Sequence, residues 1–262
     1  MTRTPAALLV CPPAGGAINF ARDDALLACA RATGREIIRT YSWAQPVVSF
    51  GRNERVRGRF SAGRLRASGV DATRRQTGGR ALFHHRELTY AIAGPVAAGE
   101  TLRSAYTRIN AMLADALRLF GIDVCIAHAG QRAPSDGAPC FADPSPGELV
   151  VGGRKLAASA QWREVGAFLQ HGSILIDDDQ PLLNSALEDG VELPAFASRP
   201  ATLRELLGRA PSAAELADAI ATAITATTGV APDRVACARL LPESDVQPRA
   251  LRYRDAAWTW RR

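Results

Sequence analysis

Five short segments at residues 36–41, 47–50, 70–75, 81–84 and 88–92 are rich in β-forming side chains and punctuated by glycine or proline. Their brevity and close spacing read as a sheet of closely connected strands. A helix is expected just before them over residues 19–32, where Ala21, Ala25, Ala28, Cys29 and Ala32 share one stripe. Asn19 is placed to cap it, with Asp23 and Asp24 in its first turn. Leu102, Tyr106, Ile109, Leu113, Leu117 and Phe120 mark a long amphipathic helix closed by Gly121. Strands are expected again at residues 122–127, 148–151, 155–160, 167–170 and 173–176. Beyond Asp179 the pattern turns helical, with capping boxes Thr202-x-x-Glu205 and Ser212-x-x-Glu215 and a Leu216, Ile220, Ile224 stripe ending at Gly229. The fold class is α/β in the α+β sense, with a mixed core over residues 1–178. A helical C-terminal portion, residues 179–262, is expected to pack on the same domain.

A chain of 262 residues, 47% hydrophobic and 22% charged, buries a substantial core and is not disordered. No apolar run approaches bilayer length, and residues 6–10 are too brief for a signal h-region. A soluble, cytoplasmic monomer without membrane association is expected. The five cysteines are scattered, odd in number and lack a CxxC pair, so all are expected as free thiols. The formal charge of +6 is uneven, with nine arginines between Arg52 and Arg80. That field suits an acidic partner. Few aromatic residues are interleaved with these arginines to stack bases, which argues against nucleic acid.

Lys155 is the single lysine among 32 basic residues. Either the position needs a compact amine that a guanidinium cannot replace, or an arginine-biased chain has kept one stray lysine, and composition alone leaves both open. Residues 129–147 are rich in Gly, Pro, Ser and Asp without periodicity, a length of loop that a compact domain keeps mainly for function. Cys140 lies in this loop, and near an amine and arginines its thiol pKa is expected to fall below about 8.5. Cys11, Cys29, Cys125 and Cys237 lie instead in apolar patterns and read as core filler. Paired glycines in Arg74-Arg75-Gln76-Thr77-Gly78-Gly79-Arg80 let the backbone approach a ligand, between arginines that neutralise an oxygen. A Gly-Gly turn is also a common hairpin, and this one is neither a Walker A loop nor a GxGxxG fingerprint.

In their order along the chain these segments resemble the lipoate/biotin protein ligase superfamily (the lipoate-protein ligase A family), and within it the cysteine-dependent octanoyltransferases. The resemblance runs from Phe20-Ala21-Arg22-Asp23-Asp24 through Tyr41-x-Trp43-x-x-Pro46-x-x-Ser49-x-Gly51 and the glycine segment to His84. It continues in Cys140-Phe141, Glu148-Leu149-Val150-Val151-x-Gly153-Arg154-Lys155 and Gln170-His171-Gly172-Ser173, and in all spans about two thirds of the chain. It implies a mixed, largely antiparallel sheet flanked by helices, like the catalytic domains of biotin ligases and class II aminoacyl-tRNA synthetases. It further implies an octanoyl or lipoyl group passed from acyl carrier protein to Cys140, and then to a lysine of a lipoyl domain or glycine cleavage H protein.

In that reading Cys140 and Lys155 are the catalytic pair. Arg75, Gly78, Gly79, Arg80, His84, Ser159, His171 and Gly172 bind substrate, with His171 a weaker candidate for proton transfer and as easily a structural histidine. The transferase needs no cofactor and no metal, whereas the ATP-dependent lipoate ligases of the same family use ATP and Mg. The Cys140-Phe141 pair and Arg80 in place of a third glycine favour transfer. Gly51-Arg52 resembles the ligase version, His85 replaces a common Asp, and Ala158 stands where the family usually has glycine. A third reading is a non-catalytic module that binds lipoyl groups or carrier proteins.

Overall fold

The expected strands pair into two sheets in a computed structural model that describes residues 4–96, 99–128, 140–141, 144–194 and 198–262. In chain order the first half comprises β1 (Ala7–Val10), α1 (Gly16–Thr33), β2 (Ile37–Tyr41), β3 (Val47–Phe50), α2 (Ala62–Ala67), β4 (Asp71–Arg74), β5 (Leu82–His84), β6 (Glu87–Pro95) and α3 (Leu102–Arg118). The second half comprises β7 (Cys125–Ile126), β8 (Leu149–Val151), β9 (Arg154–Glu164), β10 (Ala167–Leu175), α4 (Leu203–Leu207), α5 (Ala213–Thr228), β11 (Asp233–Arg234), α6 (Cys237–Leu240), α7 (Glu243–Arg254) and α8 (Ala256–Thr259). The large sheet runs β11-β1-β2-β6-β10-β9-β8-β7 and is antiparallel from β2 onward, with β1 parallel to both its neighbours. The small sheet runs β4-β3-β5, with β3 parallel to β4 and antiparallel to β5.

Adjacent residues of the central strands divide between two cores, as the alternation of a pleated strand requires. Leu8, Ile38, Ile92 and Phe168 pack with Ile109, Leu113, Leu117, Leu216 and Ile220 of α3 and α5. Leu9, Ile37, Ala93 and Leu169 pack with Phe20, Leu26 and Leu27 of α1 and with Val246 and Tyr253 of α7. Helices on both faces explain why these strands read as apolar runs rather than as alternating ones. The small sheet has its own core around Phe50, Phe60 and Phe83.

Several expectations are corrected. Helix α1 starts at Gly16, so Asn19, Asp23 and Asp24 fall inside it; Asn19 does not cap but is buried and donates to the main-chain oxygen of Ala14 at 3.0 Å. The strand expected over 122–127 is reduced to two residues, β9 runs past its expected end at Ala160 to Glu164, and β10 runs unbroken through the gap expected between Gln170 and Ser173. Continuity of β10 rests on Gly172, where a Cβ would stand 2.6 Å from the Ala158 carbonyl oxygen and 2.7 Å from the Tyr90 ring. Cys11 and Cys237 are not free thiols: a disulfide ties the residue following β1 to the first residue of α6, because the parallel pairing of β1 with β11 brings these distant segments together. Most of the loop expected at residues 129–147, namely 129–139 and 142–143, lies outside the described residues. Among the described residues no helix is long and apolar enough to cross a membrane.

Candidate active site

Cys140 and Lys155 are 15 residues apart in sequence yet in contact, for the Lys155 ammonium donates to the Cys140 main-chain oxygen at 2.5 Å. Strand β9 holds Lys155 with its side chain 3% exposed, and the Glu148 carboxylate lies 2.7 Å from the ammonium. The Phe141 ring centroid lies 5.3 Å from the same nitrogen. Buried ammonium and buried carboxylate thus neutralise each other, which lets the lysine remain inside the fold. Burial pushes the Glu148 carboxyl up, opposed by Lys155.

The Cys140 side chain reaches the wall of a cavity of about 50 Å³, where Leu82, Phe141, Ala158 and Leu175 form an apolar cluster with it. Burial pushes this thiol above its ordinary value, while Lys155 and Arg75 pull it down and Glu148 and Glu54 oppose them. The sequence expectation of a lowered thiol pKa is therefore corrected: in this conformation desolvation outweighs both cations. Arg75 is buried, and its guanidinium donates to main-chain oxygens of Ser49, Gly78 and Arg80 and to the Ser49 hydroxyl, with no carboxylate among these acceptors. It is the second cation at the thiol, and burial lowers its pKa from the ordinary arginine value.

Arg75, Gly79, His84, Cys140, Ser159, His171 and Gly172 all line the cavity. Gly78 and Arg80 act one step back, each giving its carbonyl to Arg75. Gly79 adopts φ +94°, and a Cβ on Gly51 would fall 1.8 Å from its carbonyl oxygen, so Gly51 and Gly79 permit a tight approach of two backbones, whereas a Cβ on Gly78 would meet nothing within 4 Å. Ser159 exchanges a hydrogen bond of 2.6 Å with the Tyr90 hydroxyl.

Both imidazoles are fully engaged. His84 meets Glu87 at Nδ1 (2.8 Å) and the Ser49 hydroxyl at Nε2 (2.7 Å), and burial lowers its pKa against the pull of Glu87. His171 meets Asp23 at Nδ1 (2.8 Å) and the Thr77 hydroxyl at Nε2 (2.7 Å). Asp23 also pairs with the buried Arg39 at 2.6 Å. Phe20 stands between the two rings, 6.1 Å from His84 and 5.8 Å from His171, and Trp43 stacks on His84 at 4.1 Å. Glu148, Asp23, Ser49 and Thr77, which stand in the quoted motifs without a site role, and Glu87, which stands in none, carry these contacts. The available signal was polar residues inside otherwise apolar strand and helix patterns.

Residues 16–225 match the family of lipoyl protein ligase A/B catalytic domains. The chain is 36% identical over 230 residues to the octanoyltransferase LipM of Symbiobacterium thermophilum, covering 82% of this chain and 83% of that protein. It is likewise 36% identical to LipM of Kyrpidia tusciae, over 78% of this chain and 80% of that one. In three dimensions it is similar to lipoate-protein ligase A bound with ATP, at a TM-score of 0.79 and 19% identity, over 98% of this chain and 99% of the other. The bi-partite lipoate protein ligase of Thermoplasma acidophilum gives a TM-score of 0.78 at 18% identity, over 98% and 97% of the two chains. The structural likeness agrees with the expected mixed, largely antiparallel sheet flanked by helices. By extent of match and identity, the chain belongs to the lipoyl protein ligase A/B catalytic domain family.

Proposed function

We propose that this chain is a cytoplasmic octanoyltransferase of lipoate cofactor formation, which moves an octanoyl or lipoyl group from acyl carrier protein through a Cys140 thioester to a lysine of a lipoyl domain or glycine cleavage H protein. The observation that carries the reading is a cysteine at the wall of an apolar cavity with its own carbonyl held by the only lysine of the chain. The LipM names of its relatives agree with it.

The thiolate of Cys140 attacks the donor carbonyl, the carrier's sulfur leaves, and a new thioester of nearly equal energy forms. The acceptor amine then attacks that thioester; the carbon–sulfur bond breaks, an amide forms, and the amine's proton goes to the departing thiolate. The second step is downhill, because an amide is more stable than a thioester, so neither nucleotide nor metal is required. Lys155 and Arg75 supply positive charge for the thiolate and for the oxyanion of each tetrahedral state, a contribution of about 3 kcal/mol for a well-placed donor. Both ring nitrogens of His84 and of His171 are occupied, which fits these residues to holding the cavity wall. The proton of the Cys140 thiol therefore passes to the carrier's departing sulfur in the first step, and the acceptor amine's proton passes to the Cys140 sulfur in the second, with no imidazole taking either.

Intact-protein mass spectrometry after mixing with octanoyl carrier protein tests the reading. An octanoyl adduct absent from Cys140→Ser is the expected result. Adenylate formed from free octanoate, ATP and Mg would make the chain a ligase instead, and neither product would leave a binding module.

A further inference from the structure

The segment that walls the cavity has a second face. Arg75 lines the cavity and Thr77 holds His171, but Gln76 between them points into a separate polar cleft between α1 and α7. Gln76 is 6% exposed, and its amide nitrogen has no hydrogen-bond partner among the described residues. An unused buried donor costs free energy unless something occupies the cleft.

Three arginines face two carboxylates in the cleft. Arg31, Arg249 and Arg252 line it with Asp24 and Glu164. Glu164 is committed to Arg31 at 2.9 Å, while Asp24 lies 3.8 Å from Arg252 and has its carboxyl pushed up to about 6 by burial. Arg252 also sits 5.3 Å from the Trp258 ring centroid, and around the same indole stand Arg261 at 3.9 Å and Arg52 at 5.9 Å. Arg52 rests in addition on Trp162 at 4.2 Å. Neither Arg52 nor Arg261 has an ion pair to a carboxylate among the described residues. Every charged neighbour that shifts Arg261 is another arginine, and each pulls its pKa down. The Trp258 indole is itself pinned to the Arg74 carbonyl at 2.7 Å, beside Gln76.

We propose that this cleft is a phosphate-ester site, which holds the phosphodiester of the donor's flexible thioester arm while the acyl end enters the cavity. The inference rests on the proposed transferase reading. The Arg252 fork, held over the fixed Trp258 indole, is preorganised for phosphate oxygens, with Arg249 beside it on the same helix, and the Gln76 amide adds a neutral donor. The shared wall of residues 75–79 puts charge and chemistry on opposite sides of one turn. An arm with a phosphate at one end and a thioester at the other fits both sides at once. An acidic peptide alone would cover the arginines and leave the cavity unfilled.

Two measurements decide it. Acyl-enzyme formation is compared for octanoyl-phosphopantetheine and octanoyl-pantetheine, which lacks the phosphate. The expected preference for the phosphorylated donor is tenfold or more in kcat/KM, collapsing toward unity in Arg252→Gln and Arg249→Gln. A fold defect would lower both rates and preserve the ratio, so an unchanged ratio, or no preference in the starting protein, overturns the site. Second, Cys140→Ser is titrated with phosphopantetheine and with ATP by tryptophan fluorescence, expecting saturable phosphopantetheine binding weakened at least tenfold by Arg252→Gln. ATP binding tenfold tighter would reassign the cleft to a nucleotide phosphate and overturn the donor-arm assignment. If phosphopantetheine binds but no acyl-enzyme forms, the transferase reading fails and the phosphate site stands; equal rates from both donors sink the site and leave the transferase.

Discussion

The Lys155 ammonium bonds to the carbonyl of Cys140 rather than to its sulfur, and Glu148 lies 2.7 Å from the same ammonium. The contact therefore fixes where the cysteine stands, and an acyl group arriving at the sulfur brings a third oxygen to compete for the lysine's donors. Three N–H bonds on one compact head make this sharing feasible.

Replacing Lys155 by arginine is expected to leave the fold intact and to cut acyl-enzyme formation by about 10²–10³, since a planar fork cannot reproduce a point donor in this pocket. Lys155→Met goes further, for it strands a buried Glu148 and should cost about 3–5 kcal/mol in denaturant unfolding. Adding Glu148→Gln to Lys155→Met should recover most of that stability and none of the activity. Near-normal single-turnover rates in Lys155→Arg would remove the lysine from the chemistry.

The thiol of Cys140 should ionise above the ordinary cysteine range. Burial favours the neutral form, and the two cations offset it only in part. In the free enzyme, iodoacetamide alkylation of Cys140 should climb with pH through an inflection above about 8.5, and Lys155→Met should move that inflection higher still. An inflection below the free-cysteine value, or one that Lys155→Met leaves in place, contradicts the arrangement.

The strand and helix pattern was legible because most elements are bounded by glycine, proline or a capping box, as at Ser212 and Gly229 of α5. The pairing of Cys140 with Lys155 was legible through family resemblance and through the rarity of lysine. What escaped were the counter-charges. Asp23 and Asn19 look like surface and cap residues of α1, and only the tertiary approach of Arg39 and His171 shows them to be buried partners. Elements of two residues, such as β7 and β11, carry no periodicity to read. The Cys11–Cys237 pair was invisible for the same reason, since a sequence separation of 226 is bridged only by the β1–β11 pairing.

Purified without reductant and then denatured, the protein should titrate three thiols, Cys29, Cys125 and Cys140, rather than five. Closing so long a loop restricts the unfolded chain by up to about 5 kcal/mol in the chain-entropy account. Reduction, or Cys237→Ser, should lower the denaturation midpoint by a matching fraction while acyl transfer continues below it, for neither cysteine lines the cavity. Five reactive thiols in the unreduced protein would show that the two sulfurs do not pair in solution.

Gly51→Ala tests the close approach of two backbones at the site. Its new Cβ would stand 1.8 Å from the Gly79 oxygen and 2.7 Å from the Gly79 carbonyl carbon, and both are main-chain atoms that no rotamer change can move aside. Either the end of β3 or the glycine turn must shift, and the turn carries the Gly78 and Arg80 carbonyls that hold Arg75. Overpacking of this kind costs about 3 kcal/mol, and a displacement of about 1 Å at Arg75 is worth about a hundredfold in rate. Gly63 in α2 is the control, where a Cβ would meet only the Ser61 hydroxyl, 3.8 Å away, so Gly63→Ala should gain about 0.5–1 kcal/mol and transfer normally. Equal stability and turnover in the two variants would mean that the turn yields freely and that its carbonyls do not position Arg75.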